Sequence, residues 1–145
     1  MSSLQSELSI PRNVKLWALL AFIYIMVFSI FALIIPESDL PVNTEPIFLS
    51  WVIIILMPVE ILLIYGTYRF FSKKRNVTSL MGPASIMYIF SFAPALYGFL
   101  IRVLDATLRA YAIPLGLTFS LVGYGLTTIL LPSLNESIHQ SKEVG

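Results

Sequence analysis

The stretch Leu49–Phe71, LSWVIIILMPVEILLIYGTYRFF, decides what kind of protein this is. As a helix rising 1.5 Å per residue, about 23 such residues cross the ~30 Å hydrocarbon core of a bilayer. One acid, Glu60, interrupts the run near its middle. A charged carboxylate at that depth costs about 2.5–3.5 kcal/mol on insertion scales. What Glu60 faces is therefore the question around which the chain is read.

The rest of the composition agrees with a membrane location. The 145 residues are 57% hydrophobic and 12% charged, with a mean hydropathy of +0.86. An ordinary soluble domain carries about 25% charged residues. Too little charge remains here to cover a soluble surface, so the expected class is an all-α integral membrane protein. The net charge of +1 is too small to suggest nucleic acid as a partner.

Cysteine is absent and the one histidine, His139, lies near the C-terminal end. Disulfides, thiolate metal sites, Fe–S clusters and covalent c-type haem are thereby excluded within the chain. No apolar run holds a histidine for a b-type haem. No cofactor and no metal are expected.

Three further apolar runs accompany the first. The expected spans are 16–35, 49–71, 83–104 and 110–131, making 16–131 a single four-helix transmembrane domain in up-down order. Residues 1–15 form a polar N-terminal segment and 132–145 a polar tail. The first span is longer than a typical 7–15-residue signal h-region and lacks an A-x-A cleavage site, so it reads as a retained signal-anchor. Pro36 ends it. The loop PESDLPVNTEPIF, 36–48, has prolines at 36, 41 and 46 and acids at 37, 39 and 45, which favours an extended form. Pro83 suits an early helical position, and Pro132 is expected to stop the fourth span.

Basic residues set the orientation. Arg12, Lys15, Arg69, Lys73, Lys74, Arg75 and Lys142 share one side of such a topology, while Arg102 and Arg109 fall on the other. Both termini are expected in the cytoplasm, with the plasma membrane as location. The sequons at Asn76-Val-Thr78 and Asn135-Glu-Ser137 then face the cytoplasm and go unused.

Helices in lipid associate through small residues. Gly116, Ser120, Gly123 and Thr127 make one such stripe on span 4, and Ala84, Ser91, Ala95 and Gly98 make another on span 3. A close antiparallel hairpin of spans 3 and 4 is expected. Trp17, Tyr24, Phe28 and Phe31 form an aromatic stripe on span 1 suited to packing or lipid contact. Pro58 and Pro94 each remove a backbone hydrogen bond near mid-membrane and are expected to kink spans 2 and 3. Arg102, Asp105 and Arg109 fall on one helical face, where the acid is expected to pair with either arginine.

Counting from the span ends puts Tyr24, Ser91 and Ser120 at the depth of Glu60, with Thr67 two turns away on the face of Glu60. These are the candidate proton- or cation-binding residues. No cation reaches that depth, and burial without one disfavours the charged carboxyl. Two readings stay open: a group that binds and releases a proton or cation, or a polar fastener between helices or to a partner subunit.

Phe92-Ala-Pro-Ala-Leu-Tyr-Gly98-Phe-Leu-Ile101 resembles the carboxylate helix of rotary-ATPase proteolipid subunits over these ten residues. That family carries an acid where Phe92 stands here, and its glycine-rich partner helices are missing, so no rotary role is carried over. Small multidrug-resistance transporters are similar in architecture, with four short spans and one essential membrane glutamate, but theirs lies in the first span.

No nucleophile–base pair, buried carboxylate pair or phosphate-binding glycine loop occurs, so an enzyme is not expected. The expectation is a small non-catalytic subunit or accessory/assembly factor of a larger membrane complex. Its partners would be the lipid bilayer and other membrane subunits or further copies of itself. The alternative is a proton-coupled transporter or ion-conducting oligomer using Glu60.

Overall fold

A computed structural model describes residues 9–74, 77 and 79–143. Arg75 and the first sequon, Asn76 and Thr78, lie outside the described residues, as does the side chain of Lys142. The described chain is helical and without strands: α1 (Arg12–Ile34), a single 3-10 turn (Glu37–Asp39), α2 (Phe48–Lys73), α3 (Met81–Leu104) and α4 (Arg109–Glu143). All four α-helices are long and apolar enough to cross a membrane.

α3 and α4 form the central pair, and each packs on both α1 and α2. α1 and α2 make no close backbone approach to each other. Accordingly 44% of the apolar window of α3 is buried, against 17% for α1.

The central pair is close because glycine lets the backbones touch. A Cβ built on Gly98 would stand 2.5 Å from the Ala112 carbonyl oxygen, and one on Gly116 would stand 2.7 Å from that of Pro94. Farther along, Gly123 lies against Ser91, and the Thr127 hydroxyl comes within 3.5 Å of the Met87 carbonyl. Contacts that descend along α3 thus ascend along α4, so the two run antiparallel. All eight small residues of the two stripes are buried.

Pro132 does not stop α4. The helix is 35 residues long, contains both Pro114 and Pro132, and at 1.5 Å per residue reaches about 50 Å. A proline in a helix interior costs about 3 kcal/mol. Fully burying one Leu or Ile side chain recovers about 1.5–3 kcal/mol. Beyond Pro132, Leu134 and Ile138 enter a cluster with Val14, Val77, Leu80 and Leu131, which offsets the lost hydrogen bond. Residues 133–140 of the expected polar tail are therefore an amphipathic helical extension. Asn135 of the second sequon is buried on its inward face. α2 and α3 likewise continue unbroken through Pro58 and Pro94.

At the other end the chain is held by polar contacts. Asp105 is fully buried and pairs with neither arginine. Its Oδ1 accepts from Thr107 N (2.9 Å), Thr107 Oγ1 (2.7 Å), Leu108 N (3.2 Å) and Asn43 Nδ2 (3.2 Å), and its Oδ2 from Ile47 N (2.8 Å). Burial alone would push this carboxyl up, but the hydrogen bonds outweigh it and hold it well below the usual carboxylate range. The arginines instead reach carbonyls: Arg102 donates to Ala32, and Arg109 to Arg102 and Pro41. Arg102 also lies 3.9 Å from the exposed Glu37. The expected charge ladder is replaced by a carboxylate that serves two helix starts, because backbone donors at those starts reach it first.

Candidate functional site

Glu60 belongs to the inward face of α2. Ser50, Ile53, Met57, Glu60 and Ile64 recur at spacings of 3 and 4 and are the buried residues of that helix. Glu60 is 7% exposed, so a mid-span acid is turned away from lipid. Around it lie Met57 and Ile64, both fully buried.

The partner of Glu60 is Tyr97 on α3. The Tyr97 hydroxyl donates to Glu60 Oε1 at 2.6 Å. A donor this close to a carboxyl oxygen satisfies it without any cation. Glu60 Oε2 is also buried and has no hydrogen-bond partner among the described residues. Among the described residues one other buried side-chain oxygen shares that condition, Ser120 Oγ on α4.

Packing puts the two residues at one level along the bundle. Ile64, one turn beyond Glu60, touches the position of a Cβ on Gly123 at 3.1 Å. Gly98, next to Tyr97, lies against Gly116. Ser120 stands between Gly116 and Gly123 on the same buried stripe of α4. Glu60 and Ser120 therefore both stand at the level between the Gly98–Gly116 and Ile64–Gly123 contacts, where α2, α3 and α4 meet.

The other candidates sit elsewhere. Tyr24 is 46% exposed on α1 and stacks on Phe92 with ring centroids 5.2 Å apart. Because α1 does not approach α2, it belongs to an aromatic row with Phe28 rather than to the carboxyl. Ser91 is buried at the level of Gly123, and its hydroxyl donates to the Tyr88 carbonyl at 2.7 Å. Thr67 is half-buried, with Ile64 between it and Glu60 along the same face. Tyr68 hydrogen-bonds Ser133 at 3.1 Å and so ties α2 to α4 near the Pro132 extension. Of the hydroxyls counted to the depth of Glu60, the structure brings Ser120 to its level and supplies Tyr97 in place of Tyr24.

Tyr97 was not singled out from sequence as a partner. It stands six residues from Ser91, so an error of under two turns in relative helix register is enough to exchange them. Asp105 carried a legible signal, being an acid shortly before a helix start, where a side-chain oxygen caps free backbone N–H groups.

The described residues hold no group of three or more His, Cys, Asp or Glu able to take a metal ion. Compared with protein-family models, curated proteins and solved structures, the chain matches none. The site's reading thus rests on its own geometry: one carboxyl, two hydroxyls and an apolar surround.

Proposed function

We propose that this chain is a small multi-pass protein of the plasma membrane, an up-down four-helix bundle with both termini cytoplasmic. In this reading it serves as a non-catalytic subunit or accessory/assembly factor of a larger membrane complex. The observation that carries it is the use of polar groups for internal fastening. Tyr97 and Glu60 join α3 to α2, and Tyr68 and Ser133 join α2 to α4. Ser91 and Thr127 bond carbonyls of their own helices. Meanwhile α1 and α2 turn wide apolar faces outward, including Leu19, Ile30, Leu33, Ile55 and Leu62. That outer surface suits lipid and neighbouring spans. The charge bias supports the orientation: Arg12, Lys15, Arg69, Lys73 and Lys74 are exposed at one end.

Purification of the full chain in a mild detergent tests the complex. Partner chains are expected at a fixed ratio. Isolation of the chain alone, with proton flux in vesicles that Glu60→Gln abolishes while the fold persists, would replace this reading with the transporter. Orientation is tested separately, since the chain has no native cysteine. Asp39→Cys should react with an impermeant maleimide from outside cells, and Ser72→Cys only after permeabilisation.

A further inference from the structure

We infer that the junction of α2, α3 and α4 is an exchangeable proton site. Glu60 is the carboxyl, Tyr97 its fixed hydrogen-bond donor, and Ser120 a partner that can reverse its role.

The argument starts from the two buried oxygens without partners, Glu60 Oε2 and Ser120 Oγ. An unsatisfied buried polar atom costs about 1–3 kcal/mol, so two at one level point to an interaction that the site is built to make. A serine hydroxyl donates or accepts by rotation, whereas a carboxyl oxygen donates only when protonated. With Glu60 neutral, Oε2–H donates to Ser120 Oγ. With Glu60 ionised, the Ser120 hydroxyl turns and donates to Oε2. Either link is made directly, by side-chain rotation, or through one water.

Tyr97 donates to Oε1 in both states, so the α2–α3 link survives the change. The proton leaves Oε2 for water and returns from it, and no other covalent bond changes. A pure fastener needs one satisfied state. This site can satisfy two.

A proton fits better than a metal cation. Hard cations take a shell of about six or more oxygens, and two free side-chain oxygens do not supply it. The surround is apolar, with Met57, Ile64, Leu115 and Phe119 in the packing on either side. No charged group competes. From α3 the titratable side chains between Ser85 and Ile101 are Tyr88 and Tyr97, and from α4 there is none between Ala112 and Gly123. On α2, the nearest other ionisable side chain is the exposed Tyr65. Arg102 and Arg109 are engaged with carbonyls at the helix ends.

The inference does not depend on the complex reading, because the readout is the carboxyl itself. Infrared difference spectra of the full chain in lipid, stepped in pH, should show one buried-carboxyl band that appears and disappears reversibly. Glu60→Gln should remove it. Tyr97→Phe should move it to higher frequency, and Ser120→Ala should shift it as well. Replacing choline chloride with sodium chloride should leave its midpoint unchanged. If Glu60→Gln fails to fold, carbon-13 glutamate labelling with the Tyr97 and Ser120 variants makes the assignment. A band constant at every pH, a band indifferent to Ser120→Ala, or displacement of the proton by sodium each overturns the proposal.

Discussion

The Asp105 carboxylate accepts the backbone N–H of Ile47 at 2.8 Å and, through its other oxygen, those of Thr107 and Leu108. Residues 58 positions apart in the chain are joined by one side chain. Ile47 precedes α2 and Leu108 precedes α4, so the negative charge sits at the N-terminal ends of two helices. Both ends carry free N–H groups and a partial positive charge, which makes a carboxylate the favoured occupant. Asn43 completes the arrangement by accepting from Ala106 N at 2.6 Å and donating to Asp105.

Asp105→Asn should therefore destabilise the protein, because an amide can present one acceptor oxygen where five hydrogen bonds converge. Hydrogen bonds to charged groups contribute about 1.5–3 kcal/mol each, and a loss of about that size is expected for the replacement. The pH dependence has a definite sign. The folded carboxyl is held below its unfolded value, which lies near 4. Its contribution is then complete above about pH 4 and fades as pH falls through the lower folded value. Thermal unfolding in detergent should show the wild type losing stability below about pH 4 and Asp105→Asn losing less there.

The α3–α4 contact makes a second prediction. A Cβ at Gly98 or Gly116 meets backbone atoms, at 2.5 and 2.7 Å, and backbone cannot swing aside as a side-chain end can. Overpacking costs about 1–3 kcal/mol, and Gly98→Ala and Gly116→Ala should fall at the upper end. Gly125, on the same helix as Gly116, has nothing within 4 Å of such a Cβ. Gly125→Ala should be neutral or stabilising by about 0.5–1 kcal/mol, through reduced backbone entropy in the unfolded chain. Denaturation of the three variants, measured side by side, separates close packing from a general intolerance of alanine.

Four helices and the small-residue seam were legible because each is written within one segment. Length and hydropathy mark a span, and a period of 3 to 4 marks a face, with no knowledge of neighbours. Two features were not legible for one physical reason. Which α3 hydroxyl meets Glu60, that of Ser91 or that of Tyr97, depends on how far α2 slides against α3, and the Asp105–Ile47 link at their shared end helps set that register. The fate of Pro132 was likewise non-local. Helix propensity alone places a stop there, and only the apolar cluster around Val14 and Val77 shows why the helix continues.

Tyr97 and Tyr24 allow a direct comparison of placement. Tyr97→Phe removes the donor to Glu60 Oε1 and leaves that oxygen without its partner, at an expected cost of about 1–3 kcal/mol. Tyr24→Phe keeps the ring that stacks on Phe92 and should change stability by less than about 0.5 kcal/mol. Equal losses in the two variants, measured by unfolding in one detergent, would contradict the placement of Glu60 against α3.

The helical extension past Pro132 makes the remaining prediction. Leu134 is fully buried and Ile138 nearly so, while Glu136 between them is exposed. Leu134→Ala and Ile138→Ala should each cost about 2–5 kcal/mol if these side chains fill a packed core. Glu136→Ala should be close to neutral. The damage should also be local, because the cluster joins the end of α4 to the start of α1 through Val14 and to the segment before α3 through Val77 and Leu80. Limited proteolysis should therefore find new cleavage after residue 132 and near residue 77 in the two core variants, with the α3–α4 seam still protected. Unchanged cleavage in both would mean that the extension is not held by this cluster.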